Sequence, residues 1–302
     1  MNWNKVINVL ILLFAVINIS LFAYKTNYES NRYILPEERA NQVYSALYAK
    51  GIGIYEFIPQ YYTKRQIELE APIIDQEKIQ KAILGDQVTI TPGETLGEKI
   101  SNGQESLTFY NGEQEGYIFY KSDKSSYISK DMTINNVEKV AFEFAKDLYG
   151  DDIDMEVTYR KIITEDKDNG VEKGYRIEMN EIFKDDIIFQ SYIKLYITED
   201  GIKEALAVRF NPIDYVGSEK NVYPFDEVMY SLMYYLEDEL EAMVIEDNVL
   251  KKLIKDIDIG YYLIDVDRRK YIYNMDPHYR IIFESGETYY INAYTNDIIS
   301  PE

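Results

Sequence analysis

The chain has 302 residues, of which 46% are hydrophobic, with 32 Lys and Arg against 53 Asp and Glu for a formal net charge of −21. The apolar share excludes wholesale disorder, and the charge argues against nucleic-acid binding because such a surface repels phosphate backbones. With no cysteine and a single histidine, His278, disulfides, thiol catalysis, thiolate zinc sites and multi-histidine metal centres are excluded.

Val6 to Tyr24 is a run of nineteen residues without a charge, bounded by Lys5 and Lys25. As a helix it covers about 28 Å, close to the ~30 Å of a hydrocarbon core. A cleavable signal peptide is the rival reading. Against it stand the length of the run, an n-region holding only Lys5, and the weak cleavage site Leu21-Phe22-Ala23. The reading is therefore a single-pass plasma-membrane anchor, with the N-terminus cytoplasmic and the long C-terminal part extracytoplasmic. Residues 29–302 then hold 30 basic and 53 acidic residues, a net of −23. Within the run, Asn8, Ile11, Ala15, Asn18 and Phe22 follow 3-4-3-4 spacing and share one stripe. Two asparagines are better satisfied against another helix than against lipid, so the stripe is a candidate transmembrane contact face.

A polar stretch, Lys25 to Arg32, leads to a helix opening near Pro36, with Ala40, Val43, Tyr44, Leu47 and Tyr48 apolar and Gly51 as its stop. Strands are expected at Ile54–Ile58 and Gln66–Leu69. Asp75 caps a short helix carrying Ile79, Ala82 and Ile83 and ended by Gly85. Val88–Ile90, Ser106–Tyr110 and Tyr117–Tyr120 alternate like strands, with Asn111-Gly112 as a hairpin signal. The serine-rich stretch Lys121 to Asp131 marks a soft domain boundary. Thr133 opens a clear helix with Val137, Val140, Ala141, Phe144, Ala145 and Leu148 on one face and Gly150 at its end. Strands Met155–Thr164, Tyr175–Phe183, Ile187–Ile197 and Ile202–Phe210 form a meander that Asn211-Pro212 breaks. Pro224 opens a second amphipathic helix with Val228, Met229, Leu232, Met233, Leu236 and Leu240 inward. Strands at Ile254–Leu263, Tyr279–Glu284 and Thr288–Tyr294 follow. A helix and then an antiparallel meander, twice over, predicts an α+β fold behind a single N-terminal transmembrane helix. The expected divisions are 1–28 (tip and anchor), 29–130 and 131–302.

No residue set stands out for catalysis, cofactor binding or metal. His278 reads as a packing or surface residue. Gly-x-Ser-x-Gly and both phosphate-loop patterns are absent from the sequence. Residues 165–170, EDKDNG, fail as a calcium loop because register places Lys167 and Arg176 where carboxylates are required. The acids Asp151, Asp152 and Asp154, and those from Glu237 to Glu241, read as solvated helix borders. These absences favour a binding or regulatory role over an enzyme, an acidic surface hydrolase being the third choice.

Both ends of the chain carry a resemblance. Met1-Asn2-Trp3-Asn4-Lys5 runs straight into the anchor. Near the C-terminus come Gly260-Tyr261-Tyr262, Pro277-His278-Tyr279-Arg280 and Tyr290-Ile291-Asn292-Ala293-Tyr294-Thr295. Together they resemble the YycI family, whose closing pattern is a GYY strand, a P-x-W-R strand and an NA-x-TG ending. Here Tyr279 stands for the usual tryptophan and Asn296 for the usual glycine, and asparagine also tolerates the left-handed conformation. The ending is similar to PepSY modules too. The resemblance implies two PepSY/YycH-like domains and a non-enzymatic regulator without a cofactor. It further implies two partners: a sensor histidine kinase of the WalK/YycG type, in a cell-wall two-component system, and a YycH-like protein. The alternative is a stand-alone PepSY-type module that restrains an extracellular peptidase or binds a cell-wall component.

Overall fold

The computed structural model describes residues 3–33, 36–55, 63–92, 97–110, 116–124, 127, 132–167, 170–242, 250–263 and 271–299. In chain order the elements are α1 (Trp3–Tyr33), α2 (Glu37–Ala49), β1 (Ile52–Ile54), β2 (Thr63–Glu70), α3 (Gln76–Ile83), β3 (Thr89–Pro92), β4 (Gly97–Ser101), β5 (Glu105–Tyr110) and β6 (Ile118–Ser122). They continue with α4 (Ile134–Tyr149), β7 (Met155–Lys167), β8 (Gly170–Phe183), β9 (Asp186–Thr198), β10 (Gly201–Val208), β11 (Asn211–Asn221), α5 (Phe225–Tyr235) and α6 (Glu237–Ala242). The last are β12 (Lys252–Tyr262), β13 (Ile272–Phe283), β14 (Thr288–Asn292) and β15 (Ile298–Ile299). The protein is thus α+β, with mostly antiparallel strands and one long apolar helix at its start.

Two compact units emerge, and neither is a continuous segment. The first comprises Met1–Lys64, Glu219–Asp258 and His278–Glu302; the second comprises Arg65–Ser218 and Ile259–Pro277. β12 and β13 each give residues to both. The division expected at 130/131 falls inside the second unit, where the strands on either side of it pair: β10 binds β6 antiparallel, with Glu204 opposite Lys121.

The second unit is built on a sheet of order β7-β8-β9-β10-β6-β5-β4-β3. α4 covers one face. Its six expected apolar positions, Val137 through Leu148, are all buried, and Gly150 closes it at φ 99°. A left-handed φ at that point is open to glycine at no steric cost. α3 packs beside α4, and the Asp75 carboxylate accepts from the Lys78 backbone N–H at 3.1 Å as expected of an N-cap. The strands alternate in two-residue steps, so Tyr120, Ile177, Ile193, Leu195 and Ala205 enter this core while their neighbours face the other way. β8 turns into β9 through Lys184 and Asp185, both at positive φ (50° and 72°), which suits the twist of a hairpin. A smaller core of Ile67, Leu69, Ile188, Tyr261, Tyr273 and Met275 fills the rest of this unit.

In the first unit α2 packs on α5 and β1. Val43 and Leu47 are buried on α2, as are Val228, Met229, Leu232 and Met233 on α5. Arg39 pairs with Asp226, and Lys50 with Glu237. Lys252 is buried between Glu239 (2.8 Å) and Glu287 (2.6 Å). The Lys252 ammonium holds the Glu287 carboxyl below its ordinary value of 4.5. A lowered folded pKa gives stability that is present above the unfolded value and lost as pH falls through the folded one. Glu287→Gln should therefore flatten the acid limb of a melting-temperature profile below about pH 4.5. An unaltered limb would show that the pair contributes nothing.

Several expectations need correction. Asn211-Pro212 does not end the sheet, because it opens β11, which lies at the end of the strand order. Proline is tolerated there since an edge strand can spare one N–H. The helix expected from Pro224 through Leu240 is split at Leu236 into α5 and α6. The split places Glu237, Asp238 and Glu239 at the positive start of α6 rather than at the negative end of α5. Tyr48 on α2 is 61% exposed, and Ala82 on α3 is exposed as well. β4 and β15 were not foreseen. The Asn111-Gly112 hairpin signal and most of the stretches 55–58 and 121–131 lie outside the described residues.

Candidate functional site

Three regions hold the residues that the sequence singles out or that the fold brings together. The first is α1. Within it Val6–Lys25 is long and apolar enough to cross a membrane, with a mean hydropathy of 2.6 and no residue buried against the rest of the chain. Asn8, Ile11, Ala15, Asn18 and Phe22 are all exposed on this helix. At 3.6 residues per turn they fall within an arc of about 80°, so the spacing does produce one continuous stripe.

The second region is the C-terminal signature, and here the geometry is that of packing. Tyr279 is fully buried, its ring 6.3 Å from that of Phe225 and its hydroxyl donating to the Tyr223 carbonyl at 2.8 Å. The aromatic at this position is a core residue with one polar end satisfied. Arg280 is 2% exposed and bidentate on Asp258, through Nε at 3.0 Å and Nη2 at 2.5 Å. The Asn292 side chain accepts from the backbone N–H groups of Tyr294 (2.8 Å) and Thr295 (3.1 Å), shaping the turn. Asn296 takes φ 63°, the left-handed conformation expected of an asparagine standing for glycine, and its amide donates to Ser231 Oγ at 2.6 Å. Ala293 and His278 are fully buried, while Thr295 is exposed and Tyr290 sits in β14 opposite Arg280. In the second unit Gly260, Tyr261 and Pro277 are buried, Tyr262 is half-buried, and the Tyr261 hydroxyl donates to the Arg65 carbonyl at 2.7 Å. Trp3, the remaining signature residue, is 66% exposed at the start of α1.

The third region was not visible in the sequence. On the sheet face opposite α4, the outward residues of β6, β10, β9, β8 and β7 line an open groove of about 650 Å³. Lys121, Arg176, Lys194 and Lys203 bring four cations to it, against Asp123, Glu178 and Glu204, with Tyr159, Tyr196 and Phe119 between them. Two ion pairs are cross-strand neighbours: Lys121 with Glu204 at 3.4 Å and Lys194 with Glu178 at 3.6 Å. Arg176 is exposed and makes no ion pair among the described residues. Gly174 makes room for the Tyr196 ring, since a Cβ there would lie 2.5 Å from it. Lys203 is paired with Asp200 at 3.1 Å, so Arg176 is the cation that this groove, with its aromatic walls, offers to an acidic extended segment. Period-two alternation could have marked these positions as outward-facing. Only strand order, with residue 121 beside residue 204, makes them a groove.

No family model matches the chain, and no curated protein matches it. Among solved structures it is similar to an uncharacterized protein from Eubacterium rectale ATCC 33656. That match has a TM-score of 0.56 at 12% identity and covers 82% of this chain and 89% of the other. At that identity the likeness is one of fold.

Proposed function

We propose that the protein is a membrane-anchored, extracytoplasmic regulator that acts by contact rather than turnover. In this reading α1 fixes the chain in the plasma membrane with its N-terminus cytoplasmic. The rest, as PepSY/YycH-like domains, engages a sensor histidine kinase of the WalK/YycG type together with a YycH-like partner. The observation that carries it is the wholly exposed apolar helix with two asparagines on one stripe. The YycI-like residues at both ends of the chain support the choice of partner, and the groove of the second unit offers the outer surface for it.

The mechanism is a population shift. A kinase with two signalling conformations moves only when its partner binds them with different affinity. Asn8 and Asn18 would supply the polar part of that difference within the membrane, each contributing about 0.6–2 kcal/mol. The double replacement Asn8→Leu and Asn18→Leu is expected to reduce co-purification of the kinase from host membranes on the order of tenfold. Kinase output, read from a reporter of its response regulator, should change with it. Undiminished co-purification with unchanged output would refute the membrane part of the mechanism. Full function with an unrelated anchor sequence and no kinase present would favour the stand-alone PepSY-type module instead.

A further inference from the structure

A second, smaller cavity lies within the second unit. Its volume is about 170 Å³, and its lining combines the apolar Ile73, Ile79 and Leu148 with the polar Lys78, Tyr149 and Arg209. Asn211 adds an amide to this lining.

The lining is rich in uncommitted donors. The Tyr149 hydroxyl is buried and hydrogen-bonds to no described residue. A buried hydroxyl without a partner is costly, so its place is one that a ligand or water must complete. Arg209 gives Nε and Nη2 to Glu181, at 3.0, 3.1 and 2.7 Å. Its Nη1 stays uncommitted among the described residues. The Lys78 ammonium forms no ion pair among them either. The opposing acid on the wall, Asp75, already accepts from the Lys78 backbone N–H at 3.1 Å to cap α3. Burial holds the Tyr149 phenol well above its usual pKa, so it stays a donor at neutral pH.

Donors and aliphatic carbon lining one cavity suit an anionic head on an apolar stem. Size then limits the stem. At ~30 Å³ per water, the cavity corresponds to about five or six water molecules, enough for a carboxylate of about six non-hydrogen atoms. We infer that this pocket binds a short aliphatic carboxylate, its head on Tyr149, Lys78 and Arg209 and its stem against Ile79 and Leu148. A free short-chain acid and the C-terminal residue of a peptide share that chemistry. The inference is independent of the kinase reading.

The test is saturation-transfer NMR on the full-length protein in detergent micelles at fixed ionic strength. The observed probes are butyrate and N-acetyl-dialanine, with inorganic phosphate added as a competitor of the butyrate signal. Butyrate is expected to saturate in the millimolar range, as suits so small a ligand. Tyr149→Phe, which removes one hydroxyl, should weaken it about tenfold, and Lys78→Gln, at an exposed position, several-fold. Tighter binding of N-acetyl-dialanine than of butyrate would support the pocket and name a peptide end as the source; the reverse would support it with a free acid. Binding of butyrate unaffected by either substitution would overturn the inference. So would loss of the butyrate signal to an equal concentration of phosphate, or no saturation at all with a native circular dichroism spectrum.

Discussion

Arg280→Ala is expected to destabilise the first unit by about 3–5 kcal/mol, the range for removing one partner of a buried ion pair. The guanidinium is 2% exposed and spans both carboxylate oxygens of Asp258, whose side chain is 19% exposed. Alanine removes the two hydrogen bonds and the positive charge that Arg280 gives that carboxylate. It also leaves the space of a long side chain within β13. Arg280→Lys keeps the charge but not the two-point geometry, and should recover only part of the loss. Urea denaturation followed by far-ultraviolet circular dichroism measures both. Trp3, the one tryptophan, lies on α1 and would not report on this site. A loss below about 1 kcal/mol would mean that the pair behaves like a solvated surface bridge.

Gly260→Ala should cost about 3 kcal/mol, at the upper end of overpacking effects, and Gly260→Val more. A Cβ at residue 260 would lie 2.5 Å from the Ile187 carbonyl oxygen and 2.7 Å from the Phe189 ring. β12 runs parallel to β9 here, with Gly260 opposite Ile187. The obstacle is therefore backbone held in a strand, which no rotamer change relieves. Gly286 is the control. It has φ 98° but nothing within 4 Å of its would-be Cβ, so its alanine variant pays only for the left-handed backbone, about 1–2 kcal/mol. Equal losses at the two positions would show that close approach to β9 is not what Gly260 serves.

The contrast between these glycines also shows what a linear reading can reach. Local patterns were informative: the face of α4, the Asp75 cap, the Gly150 stop and the left-handed Asn296 all follow from neighbours within a few residues. The breaks at Pro212 and beyond Tyr235 were misjudged because strand order and a helix dipole, not local propensity, decided them. The motif Gly260-Tyr261-Tyr262 was conspicuous, but its reason is Ile187, more than seventy residues away. The groove and the carboxylate pocket were invisible for the same cause. Lys78, Tyr149 and Arg209 have no sequence spacing in common, and each alone is an unremarkable surface or helix residue. The stripe on α1 was readable because a helix makes spacing into geometry by itself.

The interleaving of the two units has a consequence for how the polypeptide is born. Residues 1–64 belong with 278–302, so α2 and β1 are synthesised well before β14 and β15 of the same unit. The first unit stays incomplete until residues 278–302 follow, and a premature stop anywhere before β13 leaves both units incomplete. Such non-local closure slows folding. A nascent chain of this kind keeps unpaired strands exposed for longer, and a cut anywhere within residues 65–277 would divide both units.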